Sequence, residues 1–421
     1  MSDSQRWRQL DFRLLLIGQT TSQLGAQVSG VAVPLLAVLV LDASPTALGL
    51  VTAAGTIAFT LVGLPAGAWI DRRRRRPVLI GSELVRAVAL ATLPLSAVFG
   101  LLTMTQLIMV SFLVGVTRVF FDVGYQSYLP SIIGNDRLLT GNAAIETVRA
   151  SGQVLGPGIG GWLVATAGAV NVVLVQAMTS ALSAGSLVAI RTPELAPDQS
   201  PEPPRWRTQI KEGLVFVARS PSLRAIALTS ATGNLAFATA ASVSFIFLVR
   251  TLLLSPRLIG LLLAAGSVTA MAGAALTPLL ARRFGSARIV WLALATTGPL
   301  ALLTPLAQPG WSVVLVAVGT AAGEFGQIVY AISSLSLRQR FCPPQLLGRV
   351  NATMRFLIVG LFPLGATLGG VLGELVGSRV TLLIAGAIVA VSPVPVYLAL
   401  RGVRDADELH AGRRARQLYD D

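Results

Sequence analysis

The residues of this sequence most able to do chemistry are charged side chains set inside long apolar stretches. Glu83 and Arg86, Arg118 and Asp122, and Glu146 and Arg149 cluster toward the inner half of their apolar stretches, and their signs nearly cancel. Glu324 stands apart: it lies 13 residues from Trp311 and 14 from Arg338, with Gln327 and Tyr330 following at three-residue steps. Ionisable groups at membrane depth are costly, and they are kept for ion pairing or for moving protons and substrates. Other chemistries lack their ingredients. The chain has one histidine, His410, and one cysteine, Cys342, so a histidine triad, a His/Cys zinc site and a disulfide framework are all excluded. No metal, no cofactor and no enzymatic activity is expected.

The elements that must position these side chains are set by composition. Of 421 residues, 53% are hydrophobic and only 12% charged, about half the charge of a soluble domain. Mean hydropathy is +0.72. The net charge of +14 does not point to nucleic acid, because the arginines fall between apolar runs rather than on one basic face. The partner implied is the lipid bilayer. A crossing helix needs about 20 apolar residues, and charge-free windows split at Gly, Pro and polar clusters predict twelve helices. They fall near 13–41, 45–70, 77–101, 105–128, 140–166, 168–191, 223–250, 257–281, 287–307, 311–337, 347–375 and 379–401. With the N-terminus inside, the run Arg72–Arg76 and most other basic residues face the cytoplasm, and the outer loops keep Arg250, Arg257 and Arg379. That bias predicts an inner-membrane protein with both termini cytoplasmic.

The chain repeats itself. Gly49-Leu50-x-x-Ala53-Ala54-Gly55-Thr56 returns as Gly260-Leu261-x-x-Ala264-Ala265-Gly266-Ser267, 211 residues on. Asn142-Ala143 and Leu155-Gly156-x-x-x-Gly160-Gly161 return at an offset of 209 as Asn351-Ala352 and Leu364-Gly365-x-x-x-Gly369-Gly370. The expected domains are a six-helix bundle over 1–191, a linker over 192–222, a second bundle over 223–402 and a tail over 403–421. Within the linker, Trp206, Ile210, Leu214 and Val217 recur at helical spacing, which fits an amphipathic helix on the membrane face or a plain solvated tether.

Gly67-Ala-Trp-Ile-Asp71-Arg72-Arg73-Arg74-Arg75-Arg76 resembles the loop 2–3 signature of the major facilitator superfamily, departing from it where Arg74 replaces a glycine. The resemblance implies a fold of twelve transmembrane helices in two pseudo-symmetric bundles. It also implies an inner gate carried by Gly67, Asp71, Arg72 and Arg75, with Asp122 on helix 4 and Arg349 at the start of helix 11. In that gate the basic residue meets the helix 4 acid. Topology anchoring alone is the competing account of the arginine run. Gly152-x-x-x-Gly156-Pro157-x-x-Gly160-Gly161 resembles the antiporter signature of exporters in the superfamily. Its glycines share one face, so a partner backbone can approach, while Pro157 bends the helix. Plain packing explains the same pattern. Gly18-Gln19-x-x-Ser22-Gln23-x-Gly25 and the segment from Arg338 to Asn351 resemble the branch of macrolide and siderophore exporters.

The resemblance implies a proton-coupled exporter of amphipathic small molecules, working by alternating access as a monomer. Its partners would be protons and the transported molecule. Glu324 and Arg118 are expected to face each other across the cavity with Gln327 nearby, Glu324 taking up and releasing the proton; a permanent ion pair is the alternative. Glu83, Arg86, Glu146 and Arg149 read as an inter-helix charge network. Gln23, Gln27, Asn234 and Tyr330 are weaker candidates for substrate. An importer or lipid transporter on the same fold, or a membrane sensor, remains open. No phosphate-cradling Gly-x-x-x-x-Gly-Lys-Ser/Thr segment exists for an ATP-driven pump.

Overall fold

The computed structural model describes residues 3–133, 138–192, 194, 214–342 and 344–405. All regular structure among them is helical. In chain order the long elements are α1 (Asp3–Leu39), α2 (Pro45–Asp71), α3 (Arg75–Val98), α4 (Met104–Ile133), α5 (Leu138–Ala167), α6 (Ala169–Ala189), α7 (Pro221–Ile246), α8 (Pro256–Phe284), α9 (Arg288–Thr297), α10 (Val313–Phe341), α11 (Pro344–Gly360 and Phe362–Val376) and α12 (Ser378–Val391 and Val394–Leu400). Helices prevail because hydrocarbon offers no hydrogen bonds, so each backbone group must be satisfied within its own segment. Eleven helices among the described residues are long and apolar enough to cross a membrane. The twelfth, α5, has the length at 30 residues but is diluted by its glycines, Gln153, Glu146 and Arg149. Most of the proposed linker helix, from Trp206, lies outside the described residues; residues 214–219 are helical.

Three spans expected to be continuous are broken, each at a proline. After α9 the chain tightens into a 3-10 turn at Gly298–Leu302, which holds Pro299. α11 breaks at Leu361 before Pro363, and α12 at Ser392–Pro393. Proline lacks the N–H that an unbroken ladder needs and crowds the preceding turn. α1 also starts ten residues earlier than the apolar window, because a helix does not end where its hydrophobic face does.

The chain divides into two compact units: residues 1–204 with 245–264, and residues 205–244 with 265–421. The first unit thus takes in the end of α7 and the start of α8. In it, α5 lies against α1 backbone to backbone. A Cβ on Gly160 would stand 2.8 Å from the Val28 carbonyl oxygen, and one on Gly156 would strike Gln27. The second unit repeats the crossing with α11 on α7. There Gly365 meets Leu235 and Ala238, and Gly369 meets Thr239 and Ser242. Gly160 and Gly369 are 209 apart, and Val28 and Thr239 are 211 apart. The sequence repeat is a packing repeat.

The α5 surface that carries Gly161 meets α8. A Cβ on Gly161 would lie 2.7 Å from Gly260 Cα and would strike the Pro256 carbonyl oxygen. Only paired glycines permit that approach.

Each unit also closes one helix N-terminus with an acid from the chain after its sixth helix. Glu194 accepts from the Arg75 and Arg76 amides of α3 at 2.6 and 3.1 Å, supplying donors that the helix leaves unpaired. Asp405 accepts from Ser286 N at 2.9 Å and Ser286 Oγ at 3.2 Å, just ahead of α9. Both pairs are related by 211 residues. Asp11, buried in α1, similarly accepts from the Arg191 and Thr192 amides and the Thr192 hydroxyl after α6.

Two outcomes are expected. Gly161→Val overpacks the α5–α8 crossing and should lower stability by about 1–3 kcal/mol. Gly30→Ala, where a Cβ meets nothing within 4 Å, should not. Thermal unfolding in micelles decides, and equal losses would contradict the crossing. The Asp405 carboxyl is held below its ordinary value by the Ser286 backbone bond. Its contribution is therefore present above the unfolded pKa and lost as pH falls through the lower folded one. Acidification should destabilise the wild type more than Asp405→Asn in unfolding scans across about pH 2–6.

Candidate transport site

The charge pairs close within single helices, not as the inter-helix network expected. Glu83 and Arg86 meet at 3.1 Å on α3, Arg118 and Asp122 at 3.7 Å on α4, and Glu146 and Arg149 at 2.8 Å on α5. The last two pairs are largely exposed, so the local i,i+3 or i,i+4 geometry accounts for them. The first differs. Glu83 is 0% exposed and Arg86 4%. Ser22 of α1 donates to Glu83 Oε1 at 2.8 Å, and Arg86 reaches Ser22 Oγ at 3.2 Å and Thr117 Oγ1 of α4 at 3.3 Å. Neutral hydroxyls, not opposite charges, carry this pair from helix to helix.

The implied gate contacts differ as well. Arg75 pairs with Glu194 at 3.6 Å while Asp122 is taken by Arg118, so the basic residue does not meet the helix 4 acid. Among the described residues, nothing comes within 4 Å of a Cβ on Gly67, so this glycine permits no close helix approach here. Arg72 is the exposed C-cap of α2, its N–H donating to Ile70 O. The side chains of Asp71 and Arg349 lie outside the described residues.

In the antiporter-like segment Gly152, Gly156 and Gly160 face α1, with Gly152 in ordinary van der Waals reach of Gln27. Pro157 offers its carbonyl oxygen to the Gly260 surface. Gln27 is thereby fixed at a helix crossing. Gln23 is half-buried on α1, one residue from the buried Ser22.

Glu324 is half-buried on α10, and among the described residues it forms no ion pair. Its Cγ would lie 3.3 Å from a Cβ on Gly266 of α8. The first unit has the same crossing with no carboxylate: there Gly115 of α4 packs on Gly55 of α2. Gly55 and Gly266 are 211 apart, and Gly115 and Glu324 are 209 apart. Glu324 therefore occupies the place of a glycine at a repeated crossing. Gln327 is exposed one turn on. Arg118 belongs to the first unit and Glu324 to the second.

Tyr330 needs correction as a substrate candidate. It is 3% exposed, bonded to Ser230 Oγ at 2.6 Å and donating to Ile226 O at 3.1 Å, so it ties α10 to α7. Asn234 is turned back on its own helix, its Nδ2 donating to Ser230 O at 3.0 Å.

Sequence reasoning missed Asp42. It sits after α1 with φ at +48° and pairs at 2.6 Å with Arg250, which lies in the π-helical turn Phe247–Thr251 ending α7. Arg250 was visible as one of few basic residues at that end of the helices; the acid 208 residues away was not. Cys342, just past α10, is buried, which pushes its thiol up.

Residues 4–417 match the family described as transmembrane secretion effector. The chain belongs to that family. It is a major facilitator transporter, not an enzyme. It is 29% identical over 378 residues to the "Multidrug efflux pump Tap" of Mycolicibacterium fortuitum, covering 88% of this chain and 91% of that one. It is 30% identical over 379 residues to the "Enterobactin exporter EntS" of Escherichia coli (strain HS), covering 86% and 85%. Among solved structures, the nucleoside transporter NupG superposes with a TM-score of 0.73 at 12% identity, covering 93% of this chain and 98% of that one. A bacterial homologue of ferroportin in its inward-facing state also gives 0.73, at 16% identity, covering 92% and 98%. These distant likenesses establish the fold.

If Tyr330 is a packing tie, Tyr330→Phe removes its hydrogen bonds to Ser230 and Ile226 and should cost about 1 kcal/mol of stability. The melting temperature checks this, and an unchanged value would return Tyr330 to the substrate candidates.

Proposed function

We propose that this transporter is a proton-coupled exporter of amphipathic small molecules, working by alternating access with Glu324 as a titrating group. The observation that carries the reading is the replacement of Gly115 by Glu324 at the repeated crossing. A helix crossing that packs with glycine in one half gains nothing structurally from an unpaired carboxylate in the other. Ionisable groups kept at membrane depth without such a reason serve transport. Glu324 exposes part of its carboxyl-bearing side chain and has a neutral surrounding on α8, so proton uptake and release there need no rearrangement of an ion pair.

Export in place of import is supported by the relatives named as a multidrug efflux pump and an enterobactin exporter. The arginine asymmetry supports an inner-membrane location with both termini in the cytoplasm. Asp71, Arg72 and Arg349 keep the inner-gate role that the loop 2–3 signature implies, and the repeat supports two six-helix domains joined by the 192–222 linker. We take the monomer as the working unit.

The test is accumulation of dyes and antibiotics by an efflux-deficient bacterial host. Wild type should lower accumulation, and a protonophore should abolish the difference. Glu324→Gln should lose pH-driven export while still binding substrate, and Asp71→Asn should slow export. Unchanged pH-driven transport by Glu324→Gln would sink the role given to that residue.

A further inference from the structure

The Glu83–Arg86 pair is the most deeply buried charge among the described residues, and the fold does not need it. The counterpart of α3 in the second unit is α9, where positions 211 later hold Leu294 and Thr297. The neighbours correspond too. Arg86 bonds Thr117 in the first unit, while in the second Thr297 lies against Gly326, 209 residues after Thr117. Ser22, which joins both charges, corresponds to Gly233. The same helix crossing therefore forms with a leucine, a threonine and two glycines. Replacing a buried ion pair with apolar groups is commonly neutral or stabilising, so packing alone gives no reason to keep it.

The site's hydrogen bonding is unfinished in a particular way. Glu83 Oε1 accepts from Ser22 Oγ and Arg86 Nη1, but Oε2 is buried with no partner. Arg86 Nη2, Ser180 Oγ, Ser183 Oγ and Gln19 Oε1 are buried without partners as well. They come from α1, α3 and α6. Gly18 of α1 rests on Ser183, and the Ser180 hydroxyl of α6 lies near the Glu83 carboxyl without bonding it. Buried polar atoms without partners are rare, and a carboxylate oxygen among them calls for an account. A serine hydroxyl can donate or accept. Ser180 can therefore donate to Oε2 when Glu83 is ionised, or accept from it when a proton occupies Oε2.

We infer that Glu83 is a proton-binding site, sealed inside the first unit and distinct from Glu324. Oε2 takes a proton from a hydronium ion, forming an O–H bond directed at Ser180 Oγ, and release returns the proton to water. Loading leaves Arg86 as a buried cation held by its bonds to Ser22 and Thr117. The groups facing Glu83 are Arg86 on its own helix, Ser22 from α1, Ser180 from α6 and Asp122 from α4. A protonated carboxyl is a poorer acceptor, so loading loosens the Ser22 bond and the hold of α3 on α1. Proton occupancy is thereby felt by the helix that carries Gln19 and Gln23.

The inference rests on the proton-coupled reading, and its test needs no substrate. Infrared difference spectra of the whole protein in lipid are recorded while pH is stepped between about 5 and 9. A buried carboxylic C=O band should grow on acidification, vanish in Glu83→Gln, shift in Ser180→Ala and persist in Glu324→Gln. The double variant Glu83→Leu/Arg86→Thr, which carries the second unit's residues, should keep its helical circular dichroism and melting temperature while lacking the band. A pH-difference spectrum unchanged by Glu83→Gln overturns the inference, whatever the export assay gives. A Glu83 band without proton-driven export would sink the coupling reading and leave the site standing.

Discussion

Backbone-to-backbone approach at glycine is the constraint on which the rest of this structure depends. Inside a bilayer, apolar side chains gain little by leaving lipid for one another, so helices are held by van der Waals fit where side chains are absent. Gly156 and Gly160 bring α5 onto α1, and Gly365 and Gly369 bring α11 onto α7 in the same register. Gly161 and Gly260 then draw α8 against α5 more closely than any side chain would permit. With crossings this tight, a residue offset of 209 to 211 is enough to reproduce one half's packing in the other.

Against a packing repeat this faithful, departures carry information. The second half holds Glu324 where the first has Gly115, and the first holds Glu83 and Arg86 where the second has Leu294 and Thr297. In each case one half demonstrates that the crossing forms without charge. Burial of a carboxylate costs free energy that the matching crossing does not incur. Each half carries its own departure.

Charges at the helix ends behave differently. Glu194 caps the N-terminus of α3, Asp405 binds Ser286 ahead of α9, Asp11 gathers the amides after α6, and Asp42 pairs with Arg250 in an exposed setting. An exposed ion pair is worth about 0–1 kcal/mol, so this one adds little to stability. Glu194 satisfies α3 donors that the helix itself cannot, and at α9 the Ala287 and Arg288 amides donate to the Arg404 carbonyl next to Asp405.

Periodicity and composition already determined the membrane location, the helical class and the internal repeat. Each of these follows from local rules: apolar length against bilayer thickness, and motif recurrence along the chain. The prolines that break α9, α11 and α12 were equally visible, but whether a proline bends a span or interrupts it depends on its neighbours; Pro34 and Pro157 leave their helices continuous. Partner choice was not legible. Spacing pointed to an inter-helix network of Glu83, Arg86, Glu146 and Arg149 where each acid in fact pairs within its own helix, and it could not separate the one pair sealed by Ser22 and Thr117 from two that face outward. Nor could it turn Tyr330 inward, or give Arg75 to Glu194, 119 residues away. Such contacts are set by which helix faces meet, and only the tertiary structure decides that.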